Sequence, residues 1–239
     1  MLNLPEEVLD ALKRFVGPQP LIMLLNDYQG VAIASEANLQ GFDLTTATVR
    51  THIHQAVCLA LENQTRVQSR TLSLAVQARV AAVDVGTGIA RLTDFKPVAY
   101  TTERRLSVQP APARSIEIEL SAQNWTTHGR LEAISLASLN IYLPASEIFF
   151  EPELVFREGS GLHARFHLPG ADRPISLDGS VISSAPQQDD YRVSIKLASE
   201  GEAQKAIREY ILQRRAMVAQ ELQTRYEEMT QSPPGANQM

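Results

Sequence analysis

Only one cysteine and one tryptophan occur among the 239 residues, and aromatic side chains make up just 6%. The lone thiol, Cys58, excludes an intramolecular disulfide and suits a reducing compartment. So few aromatics argue against a platform on which successive bases stack. Lysine and arginine together number 22 against 27 acids, for a net charge of −5. The lysines form no block, so neither DNA nor RNA is an expected partner. No run approaches the roughly 18 apolar residues that cross a bilayer, and the first residues lack the basic-then-apolar pattern of a secretory leader. The expectation is a cytoplasmic protein without membrane insertion. What is present is 44% hydrophobic and 21% charged content, that of an ordinary globular chain with room for two domains and a sizeable core.

Asn3-Leu4-Pro5-Glu6-Glu7 starts a helix in the manner expected of a first-turn proline followed by acids, and Gly17-Pro18 ends it. Leu21 to Leu25 and Val31 to Ala34, joined by Asn26-Asp27-Tyr28-Gln29-Gly30, read as a hairpin. Val49, Ile53, Val57 and Leu61 have helical spacing, which predicts a helix over Thr46 to Asn63, with strand as an alternative for its second half. Leu72, Leu74, Val76, Ala78 and Val80 alternate as a half-buried strand does, and Gly86-Thr87-Gly88 turns the chain into a return strand from Ile89. Gly-Thr-Gly between two alternating segments is read as a hairpin turn rather than a phosphate loop.

Further short strands are expected around Ile116 to Leu120, Leu139 to Leu143, Leu154 to Phe156, Arg165 to Leu168, Ser180 to Ile182 and Tyr191 to Leu197. Trp125 to Gly129 reads as a loop. From about Glu200 to Met229 the chain holds no proline, and Ala203, Ile207, Ile211, Val218 and Leu222 make an apolar stripe, so a long amphipathic helix closes the fold. A disordered tail, 231–239, follows. The fold class expected is mainly β with flanking helices: a β-rich domain over 1–102 and a six-stranded β-barrel with a C-terminal helix over 103–230.

Two segments carry a resemblance. The first is Glu103-Arg104-Arg105 with Leu106-Ser107-Val108-Gln109; the second is Ala133-Ile134-Ser135-Leu136-Ala137-Ser138. Together they resemble the PilZ domain, a bacterial receptor module for cyclic di-GMP, in which an R-x-x-x-R segment and a D/N-x-S-x-x-G turn hold the nucleotide. The likeness runs over about 105 to 215. Ile175 to Ile182 resembles the family's middle strand with a small-residue turn, and Ala203 to Leu212 resembles its closing helix. Val76 to Tyr100 is similar to the end of the N-terminal domain of YcgR-like proteins, while the first 70 residues match that domain poorly. The resemblance implies a ligand site at Arg104, Arg105, Gln109, Ser135 and Ser138. It implies no resident cofactor, and cyclic di-GMP as the ligand.

This sequence departs from the pattern at three positions. Arginine suits a cyclic dinucleotide because its planar fork pairs with phosphate oxygens or a guanine edge. Gln109 stands where the second arginine is expected, Ala133 where an acceptor is expected, and Ser138 where glycine leaves the backbone free. Each lost charge-assisted contact costs about 1.5 to 3 kcal/mol, so the expectation is weak or lost nucleotide binding. On a regular strand Glu132 would face away from Ala133. No GGDEF or EAL signature is present. The function implied is a non-enzymatic adaptor in cyclic di-GMP-type signalling that regulates motility, pilus or surface-attachment machinery through protein contacts. The alternative is a working receptor whose two domains are switched through Arg104 and Arg105.

Other residues were weighed for chemistry. His52, His54 and Cys58 include zinc-ligand types without a fourth ligand nearby. His163 and His167, with Asp172 and Asp178 downstream, motivate a metal-dependent hydrolase as a distant alternative. The terminal helix motivates another, a homo-oligomer. Trp125 is read as structural or as an anchor for a partner.

Overall fold

The computed structural model describes residues 21–43, 45–69, 74–98, 111–122, 124–148, 151–187, 190–198 and 201–231. The expected N-terminal helix at 4–16 and the tail after 231 lie outside them. Period-two alternation builds most of what is described. In the first unit the strands are β1 (Leu21–Tyr28), β2 (Val31–Asp43), β3 (Thr46–Thr51), β4 (Gln64–Ser69), β5 (Leu74–Asp84) and β6 (Ile89–Val98). They close into a barrel in the order β1-β2-β3-β6-β5-β4, β4 returning to β1 with Leu24 opposite Val67. The inward row is small as well as apolar: Ala37, Ala47, Ala78 and Ala90 lie beside Leu24, Val49, Val76 and Leu92. The whole N-terminal β-rich segment is thus a barrel of its own.

The helix expected over Thr46 to Asn63 is corrected in its first half. Thr46-Ala47-Thr48-Val49-Arg50-Thr51 is β3, with Ala47 and Val49 turned inward, and only Ile53–Glu62 is helical (α1). Three threonines at alternate positions favour the pleated surface, where a branched Cβ is not crowded by a preceding turn. Helical spacing from Val49 onward was therefore fortuitous at its first member. α1 ends at Asn63, whose φ of 56° is the left-handed conformation that asparagine tolerates. Its inner face buries Val57, Cys58 and Leu59 completely. The turn at Gly86-Thr87-Gly88 joins β5 to β6 as expected, with the Thr87 amide donating to Asp84 Oδ1 at 3.2 Å.

The second unit holds β7 (Glu117–Ala122), β8 (Trp125–Ile134), β9 (Ser138–Leu143), β10 (Gly161–Phe166), β11 (Ile175–Gln187) and β12 (Asp190–Leu197). They form a closed six-stranded barrel in the order β10-β11-β12-β9-β8-β7. Its interior is Ile118, Leu120, Ile134, Leu139, Ile141, Ile195 and their neighbours. Ile207, Tyr210 and Ile211, from the helix α3 (Glu202–Gln231), join that core. Further along α3, Val218 and Leu222 are fully buried as well, and Glu221 accepts a hydrogen bond from the Tyr28 hydroxyl at 2.7 Å.

Three other expectations change. Trp125 to Gly129 is not a loop but the first half of β8. Leu154 to Phe156 is not a strand, because Pro152 presets a helical first turn and Pro152–Val155 forms a short helix, α2. Asp178-Gly179-Ser180 is not a turn but the middle of a continuous β11, with Gly179 between Leu162 and Leu197. Glycine reads as a turn in sequence, yet Gly129 and Gly179 are here because neighbouring backbone comes too close for a side chain. A Cβ on Gly129 would lie 2.6 Å from the Tyr142 carbonyl oxygen. Gly129→Ala is therefore expected to destabilise the protein by about 1–3 kcal/mol in urea denaturation, whereas Gly161→Ala, where no atom lies within 4 Å, should change stability much less.

Candidate functional site

Of the five residues expected to hold a nucleotide, Arg104, Arg105 and Gln109 lie outside the described residues. Ser135 and Ser138 lie together at the β8–β9 turn. The expected motif is therefore a tight turn between two neighbouring strands, and its hydrogen bonds can be followed one by one. The Ser135 amide donates to the Ser138 carbonyl at 2.8 Å. Ser135 Oγ accepts from the amides of Ala137 at 3.2 Å and Ser138 at 2.9 Å. Its proton goes to the Ser138 carbonyl at 3.1 Å or lies between it and Ser138 Oγ at 2.9 Å.

A serine hydroxyl has one donor and two acceptor positions, so Ser135 spends its full capacity inside the turn. It is also 1% exposed. This is the side chain bonding its own backbone, as serine does at turns. The residue that survives from the expected motif therefore holds the turn's shape, and its hydroxyl is not presented to a ligand.

Outward from this turn runs a polar face on β8, β9 and β12. Ala133 lies directly opposite Asn140, and Asn140 Oδ1 accepts from Ser194 Oγ at 2.9 Å. Glu132 does not face away, contrary to the expectation. A register shift between Leu131 and Ala133 breaks the alternation, and Glu132 meets Arg192 on the outer face through two bonds of 2.6 and 3.0 Å. Arg130 lies over the Tyr142 ring, 4.9 Å from its centroid, and the Tyr142 hydroxyl donates to Asp190.

That bond raises the Tyr142 hydroxyl above its usual range and, with the Ala145 amide, holds the Asp190 carboxyl below its own. A depressed carboxyl contributes stability at neutral pH that is lost as pH falls through its folded value. Both arginines on this face already have partners, and the acceptor expected at position 133 is a methyl group.

The remaining candidates separate. His52 caps α1, its Nδ1 accepting from the His54 amide at 3.3 Å, and burial followed by the His54 charge lowers its pKa. Cys58 lies in the core, where burial and then Glu62 push its thiol up to about 12, so it is neither a thiolate nor near the surface. His163 on β10 is directly opposite Asp178 on β11, with Nδ1 2.8 Å from Asp178 Oδ1 and Nε2 3.4 Å from Ser176 Oγ. His167 and Asp172 have no printed part in that cluster. Among the described residues no three His, Cys, Asp or Glu side chains gather as a metal would need.

No protein-family model matches the chain, and no curated protein matches it. Solved structures do. The chain is similar to the inhibitor of motility MotI/DgrA of Bacillus subtilis, at 12% identity and a TM-score of 0.41, over 85% of this chain and 99% of that one. It is similar to YcgR of Escherichia coli in complex with c-di-GMP, at 13% identity and a TM-score of 0.43, over 92% and 93%. It is also similar to MrkH of K. pneumonia with c-di-GMP, at 10% identity and a TM-score of 0.44, over 91% and 96%. The solved structures that it resembles are PilZ-domain proteins.

The turn itself gives a direct test. Removing the Ser135 hydroxyl strips two backbone amides of their acceptor, so Ser135→Ala is expected to cost about 1–2 kcal/mol. Equilibrium denaturation checks this, and Ser138→Ala, which leaves those amides with Ser135 Oγ, should cost less.

Proposed function

We propose that this chain is a non-enzymatic PilZ-like adaptor of cyclic di-GMP-type signalling that acts on motility, pilus or surface-attachment machinery through protein contacts, with nucleotide binding weak or lost. The observation that carries the reading is the closed hydrogen-bond account of Ser135. In the pattern this segment resembles, a serine, an acceptor two positions before it and a glycine three positions after it serve the ligand together. Here the acceptor is Ala133, the glycine is Ser138, and the serine is consumed by its own turn.

The magnitudes decide between adaptor and receptor. Two or three missing contacts of about 1.5–3 kcal/mol each amount to several decades of affinity, since every 1.4 kcal/mol is about tenfold. Even with incomplete additivity, a pair of arginines at 104 and 105 does not recover that loss, because an exposed ion pair is worth about 0–1 kcal/mol. The receptor alternative requires Arg104 and Arg105 to hold the nucleotide almost unaided.

Two further readings draw less support. A metal-dependent hydrolase needs ligands gathered round one point, and His163 is instead engaged by a single carboxylate and a serine. Self-association through α3 needs an unpartnered apolar stripe. Ile207, Ile211, Val218 and Leu222 are already buried within the chain.

Calorimetric titration with cyclic di-GMP at physiological salt separates adaptor from receptor. The expected outcome is no saturable heat at ligand concentrations up to the millimolar range, and the same silence in Arg104→Ala/Arg105→Ala. Micromolar or tighter binding that this double substitution abolishes would establish the receptor instead.

A further inference from the structure

A groove of about 750 Å³ opens on the second barrel. Its lining comes from the β7–β8 turn (Asn124), the start of β8 (Trp125), β10 (Leu162, His163) and β11 (Asp178). The sequence held each of these as a separate, weak signal; closure of β10 against both β7 and β11 brings them to one place.

Three features of the groove agree on the chemistry of an occupant. Trp125 offers an aromatic surface held by packing: its ring meets Phe156 edge-on, with centroids 5.5 Å apart and planes at 77°, and Phe156 is only 1% exposed. Asp178 is the one carboxylate in the lining, with 82% of its side chain exposed and one oxygen held by His163 at 2.8 Å. No lysine or arginine is among the lining residues. An aromatic face beside an acid, with no competing cation, suits a guanidinium, which stacks on indole and pairs with carboxylate through its planar fork. The same charge balance disfavours a phosphate or a carboxylate.

We propose that this groove takes an arginine side chain presented by a protein partner, stacked on Trp125 and paired with Asp178. That the occupant belongs to a protein rests on the adaptor reading above; that it is a guanidinium rests on the groove.

Because Trp125 is the only tryptophan of the chain, its fluorescence reports the groove without a label. The full chain, free of nucleotide, is titrated with N-acetyl-arginine amide, with the isosteric neutral N-acetyl-citrulline amide and with N-acetylglucosamine. Saturable change of the Trp125 emission is expected with the arginine amide, weakened about three- to tenfold for citrulline and in Asp178→Asn, as an exposed ion pair allows. Equal response to arginine and citrulline amides, or affinity unchanged in Asp178→Asn, overturns the proposal. A response to the sugar alone makes the groove a neutral polyol site and also overturns it, as does no response to any probe. None of these readings involves cyclic di-GMP, so failure here is distinguishable from failure of the nucleotide account.

Discussion

Each barrel depends on one pairing between strands distant in sequence. In the first, β4 returns to β1 through Met23–Gln68, Leu24–Val67 and Leu25–Arg66. In the second, β10 joins β7 through His163–Ser121, Ala164–Leu120, Arg165–Glu119 and Phe166–Ile118. Closure leaves no open strand edge for another chain to pair with. It also fixes every side chain's face, because a slip of one residue would turn the inward row outward. The polar face on β8, β9 and β12, the Ser135 turn and the Trp125 groove all lie where they do because the second register is set. The inward glycines Gly129 and Gly179 belong to the same constraint, since each stands where a neighbouring strand's carbonyl comes within 3 Å of the missing Cβ.

The sequence made the alternating strands legible because their pattern is local. Val76, Ala78 and Val80, or Leu139, Ile141 and Leu143, need only their own neighbours to be read. What failed was decided by contacts across the sheet. Thr46 to Thr51 shares apolar spacing with the helix that follows and becomes a strand because β2 and β6 pair with it. Gly129 and Gly179 look like turn residues until the approaching backbone of β9 and β12 is known. The side on which Glu132 falls depends on a bulge that leaves no mark in composition.

The candidate site divides in the same way. That Ala133 to Ser138 forms a turn between two strands could be read from residue types. That Ser135 uses every hydrogen-bonding position within that turn could not, since it depends on backbone geometry at Ala137 and Ser138. A motif serine can serve its ligand or its own loop. With glycine replaced and the leading acceptor gone, the second use accounts for all of its bonds. Losing a binding role need not cost the scaffold stability, because the turn is still closed from within. A barrel retained in this way still offers its other surfaces, and the groove at Trp125 and Asp178 is one of them.

The central claim is that the Ser135 turn is closed on itself and does not receive a nucleotide. Amide hydrogen exchange at Ala137 and Ser138, measured with and without cyclic di-GMP at high excess, tests this most directly. The account predicts slow exchange at both amides in the free protein and no change on adding nucleotide. Fast exchange in the free protein that becomes protected when nucleotide is added would contradict it.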